Sequence, residues 1–209
     1  MNHMKSEDLS IREFLAKTAS GSPVPGGGSI AALSAAIAAS LAEMVAHLTI
    51  GKKGFEATEE QMKDIIKDAA DHRNKLMKDI DRDSDAYNDV LTAFRLPKGS
   101  EQEENNRKQA IQDAFKNASL VPLGVAKNAF KIIELAEKVV KHGNKNAVTD
   151  GAVAVMMART AVLSALYNVK INLASIKDVD FVERIRKDVT SLESEIENKE
   201  RKILSGLAI

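Results

Sequence analysis

Cysteine and tryptophan are absent from the 209 residues, and aromatic residues make up only 4% of them. No disulfide, thiol nucleophile or thiolate metal site is therefore available. The core must be assembled from Ala, Leu, Ile, Val and Met, which the 44% hydrophobic content can supply. An excess of either charge is missing too: 30 acids face 30 bases, for a formal net charge of zero, which argues against the basic footprint of a nucleic-acid binder. The four histidines, His3, His47, His72 and His142, form no HxxxH or HExxH pattern, so no metal is expected. Asp81-Arg-Asp-Ser-Asp85 has acids where an EF-hand loop begins, but Ala86 and Thr92 stand where such a loop needs Gly and Glu. A GxSxG nucleophile turn is absent as well. The N-terminus is polar, so no secretion signal is expected. The longest low-charge run, Pro23 to Leu48, is interrupted by Glu43 and rich in small residues, which argues against a membrane span. The expected setting is cytoplasmic, with neither a membrane nor a nucleic-acid partner.

What remains is helical. No alternating strand pattern, long linker or repeat interrupts the chain, so residues 1–209 read as a single all-α domain, a bundle of five to seven helices, several of them long. Residues 7–18 read as a short amphipathic helix packing through Ile11, Phe14 and Leu15. Ser29 to Ile50 reads as a long helix containing eight alanines, ended by Gly51-Lys-Lys-Gly54. Thr58-x-x-Gln61 is a capping box for a helix whose period runs through Ile65, Leu76, Ile80, Tyr87, Val90 and Phe94. Ser100-x-x-Glu103 is a second capping box, and Pro122 should kink or restart the helix that follows. A helix over about 146–175 comes next, and Asp180-x-x-Glu183 opens the last, with Phe181, Ile185, Val189, Leu192 and Ile196 in register. That narrow stripe resembles a coiled-coil seam, and self-association as a homodimer is expected.

Pro23-Val-Pro-Gly-Gly-Gly-Ser29 is the stretch that punctuates this pattern. Its glycines let the backbone lie close against a neighbour. Ser29 would cap the Ala-rich helix, with free N–H groups and the positive dipole end facing outward. Two readings stay open: a ligand cradle, and a plain tight turn before a buried helix. Neither GxxxxGK[ST] nor GxGxxG fits, so the loop is not a nucleotide fingerprint.

Polar residues on apolar helix faces supply the candidates for chemistry. At about 100° per residue, Asp83 shares a stripe with Leu76, Ile80, Tyr87 and Val90, whereas Asp81 and Asp85 fall opposite, near Lys78 and Arg82. A carboxylate placed against the core suits proton transfer, because burial raises its pKa; the alternative is a structural acid paired with Arg159. Asp150, Ala154, Met157, Ala161, Ser164, Asn168 and Asn172 share one face of a later helix, where Asp150 could equally be an N-terminal helix charge. Glu43 and His47, four apart, read as a surface pair, His72 as a solvated residue, and Lys52 and Lys53 as a small basic patch.

Taken in order, several motifs carry a resemblance: Pro23-Val-Pro-Gly-Gly-Gly-Ser29; Leu48-Thr-Ile-Gly-Lys-Lys53; Asp83-Ser-Asp-Ala-Tyr87 leading to Arg95-Leu-Pro-Lys98; Val121-Pro-Leu123; Gly143-Asn-Lys-Asn146 before Thr149-Asp150; and Tyr167-Asn-Val-Lys-Ile-Asn-Leu173. Together they resemble the formiminotransferase-cyclodeaminase C-terminal domain family, which includes stand-alone bacterial methenyltetrahydrofolate cyclohydrolases. One departure is Thr149-Asp150-Gly151-Ala152, where the family has Ser-Asp-Ala-Gly. The resemblance implies an all-helical, dimer-forming enzyme without cofactor or metal. Its substrate would be a tetrahydrofolate, with or without a polyglutamate tail, attacked at the one-carbon bridge. It implies cyclodeamination first, with cyclohydrolysis as the close alternative; a non-catalytic helical module is the rival from another class. It places the family's catalytic aspartate at Asp83 or Asp81, with the helical stripe favouring Asp83. Asp150, Asn168 and Asn172 would form a polar wall, and Pro25, Gly26, Gly27, Gly28 and Ser29 a backbone cradle. Lys52, Lys53 or Lys98 would meet the glutamate tail.

Overall fold

A computed structural model describes residues 5–207. Its described residues form six α-helices: α1 (Ile11–Thr18), α2 (Gly27–His47), α3 (Glu59–Phe94), α4 (Glu101–His142), α5 (Val148–Leu173) and α6 (Val179–Ser205), with short 3-10 turns at Ser6–Asp8, Glu56–Thr58 and Lys145–Ala147. No strand is present among the described residues.

The Ala-rich α2 is the axis of the bundle. It packs against α3, α4 and α5, and Ala31, Ala32, Ala35, Ala38, Ala39, Ala42 and Ala46 are completely buried. Side chains this small let four helix backbones approach closely, and a helix apolar on most sides belongs at the centre of a fold. By length and composition α2 and the segment Lys145–Leu173 could each cross a membrane. Here 61% and 50% of those apolar windows are buried inside the protein, so protein packing accounts for the composition.

Successive long helices run antiparallel, giving the bundle two ends. At one end the start of α2 meets Ile80 to Ser84 of α3. At the other, Val45 and Ala46 of α2 meet Met62 and Ile65 of α3, Val139 of α4 and Ala147. There Thr49 Oγ1 accepts from the Asn144 amide at 2.8 Å, tying the end of α2 to the α4–α5 connection.

Several local expectations change. In α1 only Phe14 packs (5% exposed), while Ile11 and Leu15 are 81% and 56% exposed. A helix of eight residues over a broad core has room to bury one anchor, worth about 1.5–3 kcal/mol. Ser10 and Glu13 form its capping box. Thr58 precedes α3 without capping it, because its hydroxyl donates to the Phe55 carbonyl. Ser100 and Glu103 do form the expected box. Pro122 sits inside an unbroken α4 and does not restart it. The last helix is capped by Asp178, which accepts from the Phe181 amide, rather than by Asp180. Its stripe of Phe181, Ile185, Val189 and Ile196 is buried in this chain's own core, so the seam is filled within the chain.

Candidate active site

The loop before α2 and the middle of α3 meet at a carboxylate. Gly26 is the N-cap of α2, and Gly27, Gly28 and Ser29 form its first turn. Ser29 is therefore not the cap. It points inward, fully buried, with its hydroxyl 3.0 Å from both the Ile80 carbonyl and Asp83 Oδ2, and 3.4 Å from Ser84 Oγ. A β-carbon built on Gly28 would lie 2.0 Å from Asp83 Oδ1, and one on Gly27 would lie 3.3 Å from the Asn168 Nδ2. The carboxylate thus occupies the space a side chain would take on the first turn, beside free backbone N–H groups and the positive dipole end.

Burial raises the pKa of Asp83; its contacts with Ser29, which favour the charged form, oppose that shift only in part. Desolvation wins because no cation among the described residues is paired with it: Arg159, the partner expected of a purely structural acid, pairs with Glu200 instead. An acid with a raised pKa and one face open to a cavity is equipped to take up and return a proton.

That cavity has a volume of about 410 Å³. Pro23, Val24 and the three glycines line it on one side; Asp83, Ala86, Tyr87 and Val90 of α3, Phe115 and Ala118 of α4, and Asn168, Ile171 and Asn172 of α5 complete it. It is a mostly apolar slot with few convergent polar groups, as small-molecule sites commonly are. Phe115 is held edge-on to Phe94, centroids 6.1 Å apart. Asn172 Nδ2 donates to the carbonyls of Ala118 (2.8 Å) and Asn168 (2.9 Å), and Asn168 Nδ2 donates to Ser164 (2.9 Å). These bonds fix both amides with nitrogen on the helix carbonyls, leaving each Oδ1 as a spare acceptor at the slot.

Not every expected site residue arrives here. Pro25 is buried behind the loop, after a cis peptide bond to Val24, and does not line the slot. Asp81 lies on another face of α3 and accepts the amides of Ser6 (2.8 Å) and Glu7 (3.1 Å), holding down the N-terminal 3-10 turn. Asp150 begins α5, eighteen residues from Asn168, or about 27 Å along a helix; it stands at the opposite end of the bundle. Lys52 and Lys53 follow α2 at that same far end, about 30 Å from its first turn. Lys98, exposed in the α3–α4 connection, is the one of the three lysines at the slot's end of α3. His72 is not solvated but hydrogen-bonded to the buried Asn128. Glu43 is half-buried; it keeps the expected contact with the exposed His47, at 3.9 Å, and is also paired with Arg73. His3 lies outside the described residues.

The sequence reading missed Phe115, Ala118 and Ile171 as slot residues. They repeat the ordinary helical period of their own segments, and only the pairing of α4 with α5 brings them over Asp83.

Residues 10–191 match the family described as formiminotransferase-cyclodeaminase. The chain is 38% identical to a methenyltetrahydrofolate cyclohydrolase of Methylorubrum extorquens, over 88% of this chain and 89% of that one. It is 32% identical to the rat formimidoyltransferase-cyclodeaminase over 96% of this chain, spanning only 37% of that longer protein. Its fold superposes on the crystal structure of a formiminotetrahydrofolate cyclodeaminase from Thermotoga maritima with a TM-score of 0.85, at 32% identity, covering 95% of this chain and 96% of that one. The chain belongs to the formiminotransferase-cyclodeaminase family.

Proposed function

We propose that the protein is a folate one-carbon enzyme acting at the carbon between N5 and N10 of tetrahydrofolate, with formiminotetrahydrofolate cyclodeamination as its reaction. The observation that supports this most is Asp83: an acid with a raised pKa, without a cationic partner among the described residues, seated at a helix N-terminus and facing a mostly apolar slot. In the proposed reaction N10 attacks the formimino carbon. Asp83 takes the proton from N10 and returns it to the departing nitrogen, which leaves as ammonia after taking up one further proton, giving the 5,10-methenyl cation. The scheme calls for proton transfer only. The spare Oδ1 atoms of Asn168 and Asn172 would accept N–H groups of the substrate, and the glycine turn would let a planar ring lie against backbone.

A second reading is favoured by the relative that is 38% identical over nearly the same length, a methenyltetrahydrofolate cyclohydrolase. There water adds to the methenyl carbon, Asp83 takes one of its protons and passes it to N5 as the carbon–N5 bond breaks, and the other proton is released to leave the 10-formyl group. Both reactions ask the same thing of Asp83. Near-ultraviolet absorbance of methenyltetrahydrofolate mixed with the protein, and ammonia released from formiminotetrahydrofolate, separate the two; no turnover of either substrate overturns both.

A homodimer is part of the proposal. Ile37 and Met44 on α2 and Val153, Met156, Tyr167 and Ile171 on α5 are exposed apolar residues on two adjacent helices. Sedimentation of the purified protein tests this, and a monomer across micromolar concentrations rejects it. If the substrate carries a polyglutamate tail, Lys98, exposed just after α3, would meet it.

A further inference from the structure

Asp83 is polar on two sides. One carboxylate oxygen faces the slot's glycine wall, while Oδ2 reaches Ser29 Oγ at 3.0 Å, and Ser29 Oγ lies 3.4 Å from Ser84 Oγ. Ser29 is fully buried and Ser84 is 8% exposed. Ser84 does not line the slot. It lines a separate cavity of about 550 Å³ on the other side of the loop, with Lys17, Ser22, Asp81, Asp85 and Asn88 around it. Val24 borders both cavities and forms the partition between them. Two hydroxyls therefore run through this wall from the acid to a second, polar opening.

Both candidate reactions need such a connection. Opening the methenyl cation with water gives a neutral formyl group and releases one proton net. Closing a neutral formimino group to the methenyl cation, with loss of ammonia, takes one up. A flat ligand filling the slot excludes bulk water from the exposed side of Asp83 at the moment the proton must cross.

We propose that Ser29 and Ser84 form a proton relay connecting Asp83 to the second cavity, so that the acid exchanges protons with solvent while the slot is occupied. For release, protonated Asp83 donates from Oδ2 to Ser29 Oγ, the Ser29 proton passes to Ser84 Oγ, and the Ser84 proton passes to water; uptake runs the same bonds in reverse. No net bond is made or broken in either serine. Lys5, Lys17, Asp81 and Asp85, the charged groups bordering this cavity, sit on the solvent side of the relay. Asp81 is thereby given a place near the chemistry without touching the substrate.

The inference rests on the proposed folate activity, and the experiment separates the two. Wild-type protein is first assayed with both folates, and Asp83→Asn is assayed beside it. Ser84→Ala, which keeps a good helix former within α3, is then followed by rapid mixing and at steady state, with Ser84→Thr as the variant that keeps the hydroxyl. Asp83 itself supplies or stores the one net proton of the first turnover and the relay resets it for the next, so Ser84→Ala should complete its first turnover near the wild-type rate. Its steady-state kcat should fall about tenfold, below the ~10²–10⁴-fold that positioned proton transfer supplies, with KM unchanged. A small buffer acid should restore part of the lost rate, and Ser84→Thr should be near wild type. A steady-state rate for Ser84→Ala equal to wild type overturns the relay and leaves the folate reading standing. So does an equal slowing of first and later turnovers, which marks a merely structural serine. Wild-type protein inactive with both folates overturns relay and reading together.

Discussion

The two ends of α2 both carry glycines, for different physical reasons. At the start, Gly27 and Gly28 are helical and their φ angles are ordinary. What forbids a side chain there is matter: Asp83 Oδ1 would be 2.0 Å from a β-carbon on Gly28. At the far end, Gly51 and Gly54 have φ of +70° and +90°, and a β-carbon on either would meet nothing within 4 Å. Space is free there and conformation is not. A glycine demanded by space points to a neighbouring group that must come close, and here that group is the acid in the slot. A glycine demanded by backbone angle points only to a turn. Gly143 and Gly151 at the far end are also held by space, but their close neighbours are Val139, Val45 and Val140, packing rather than an acid.

The largest expected effect removes the group that the glycines at the start of α2 make room for. Asp83→Asn should lose at least about 100-fold in kcat, within the range for a general acid–base group. Its stability should move the other way. Because burial raises the pKa of Asp83, the folded protein holds a proton that the unfolded chain has already released. Stability therefore falls as pH rises from the ordinary carboxylate range through the raised pKa, and stays at the lower level above it. The amide lacks that charge, so Asp83→Asn should melt at a higher temperature than wild type at pH 7. That advantage should vanish below about pH 4, where both forms are neutral. A variant that melts lower at pH 7 shows instead that the ionised carboxylate is stabilised by the first turn of α2.

Gly28→Ala tests space directly. Alanine is the better helix former by up to about 1 kcal/mol, so helix content and melting temperature should hold. The methyl group must push the carboxylate aside, and a displacement of about 1 Å at a reacting group can cost ~10²-fold in rate. Activity should therefore drop about 100-fold with the fold intact, as circular dichroism would register. Gly27→Ala should be milder. Its methyl group meets the Asn168 amide at 3.3 Å, a contact that gives by a few tenths of an ångström. A several-fold rise in KM, with kcat little changed, is the expected result, since Asn168 is read as a binding group.

How much of this was legible in the sequence follows the same division. The helical period placed Asp83 against the core and Asp85 away from it, and the structure agrees: Ser84, Ala86 and Val90 are buried around Asp83 while Asp85 is exposed. Asn168 and Asn172 also reach the slot, because four-residue spacing keeps neighbours on one face. Asp150 shares their angular position yet stands at the other end of α5. Periodicity reports direction around a helix and says nothing of distance along it until partner helices are assigned. For the same reason Lys52 and Lys53, adjacent to the motifs in sequence order, end a full helix length from the slot. Asp79 went unnoticed altogether; it is 2% exposed and bonded to Arg82 at 2.6 Å. An i, i+3 acid–base pair looks the same in sequence whether exposed or buried.

The smallest effect belongs to the far end, and it is the control that makes the comparison decisive. Gly51→Ala places a β-carbon on a left-handed backbone, costing roughly 1–2 kcal/mol. In a chain of 209 residues that corresponds to a fall in melting temperature of about 2–8 °C, at ~2–4 °C per kcal/mol. Because α2 separates Gly51 from the slot by about 30 Å, kcat and KM should be unchanged at temperatures where the variant is folded. Thermal denaturation and steady-state kinetics on one preparation measure both. If Gly51→Ala impairs turnover while Gly28→Ala does not, the two ends of α2 have been assigned the wrong way round.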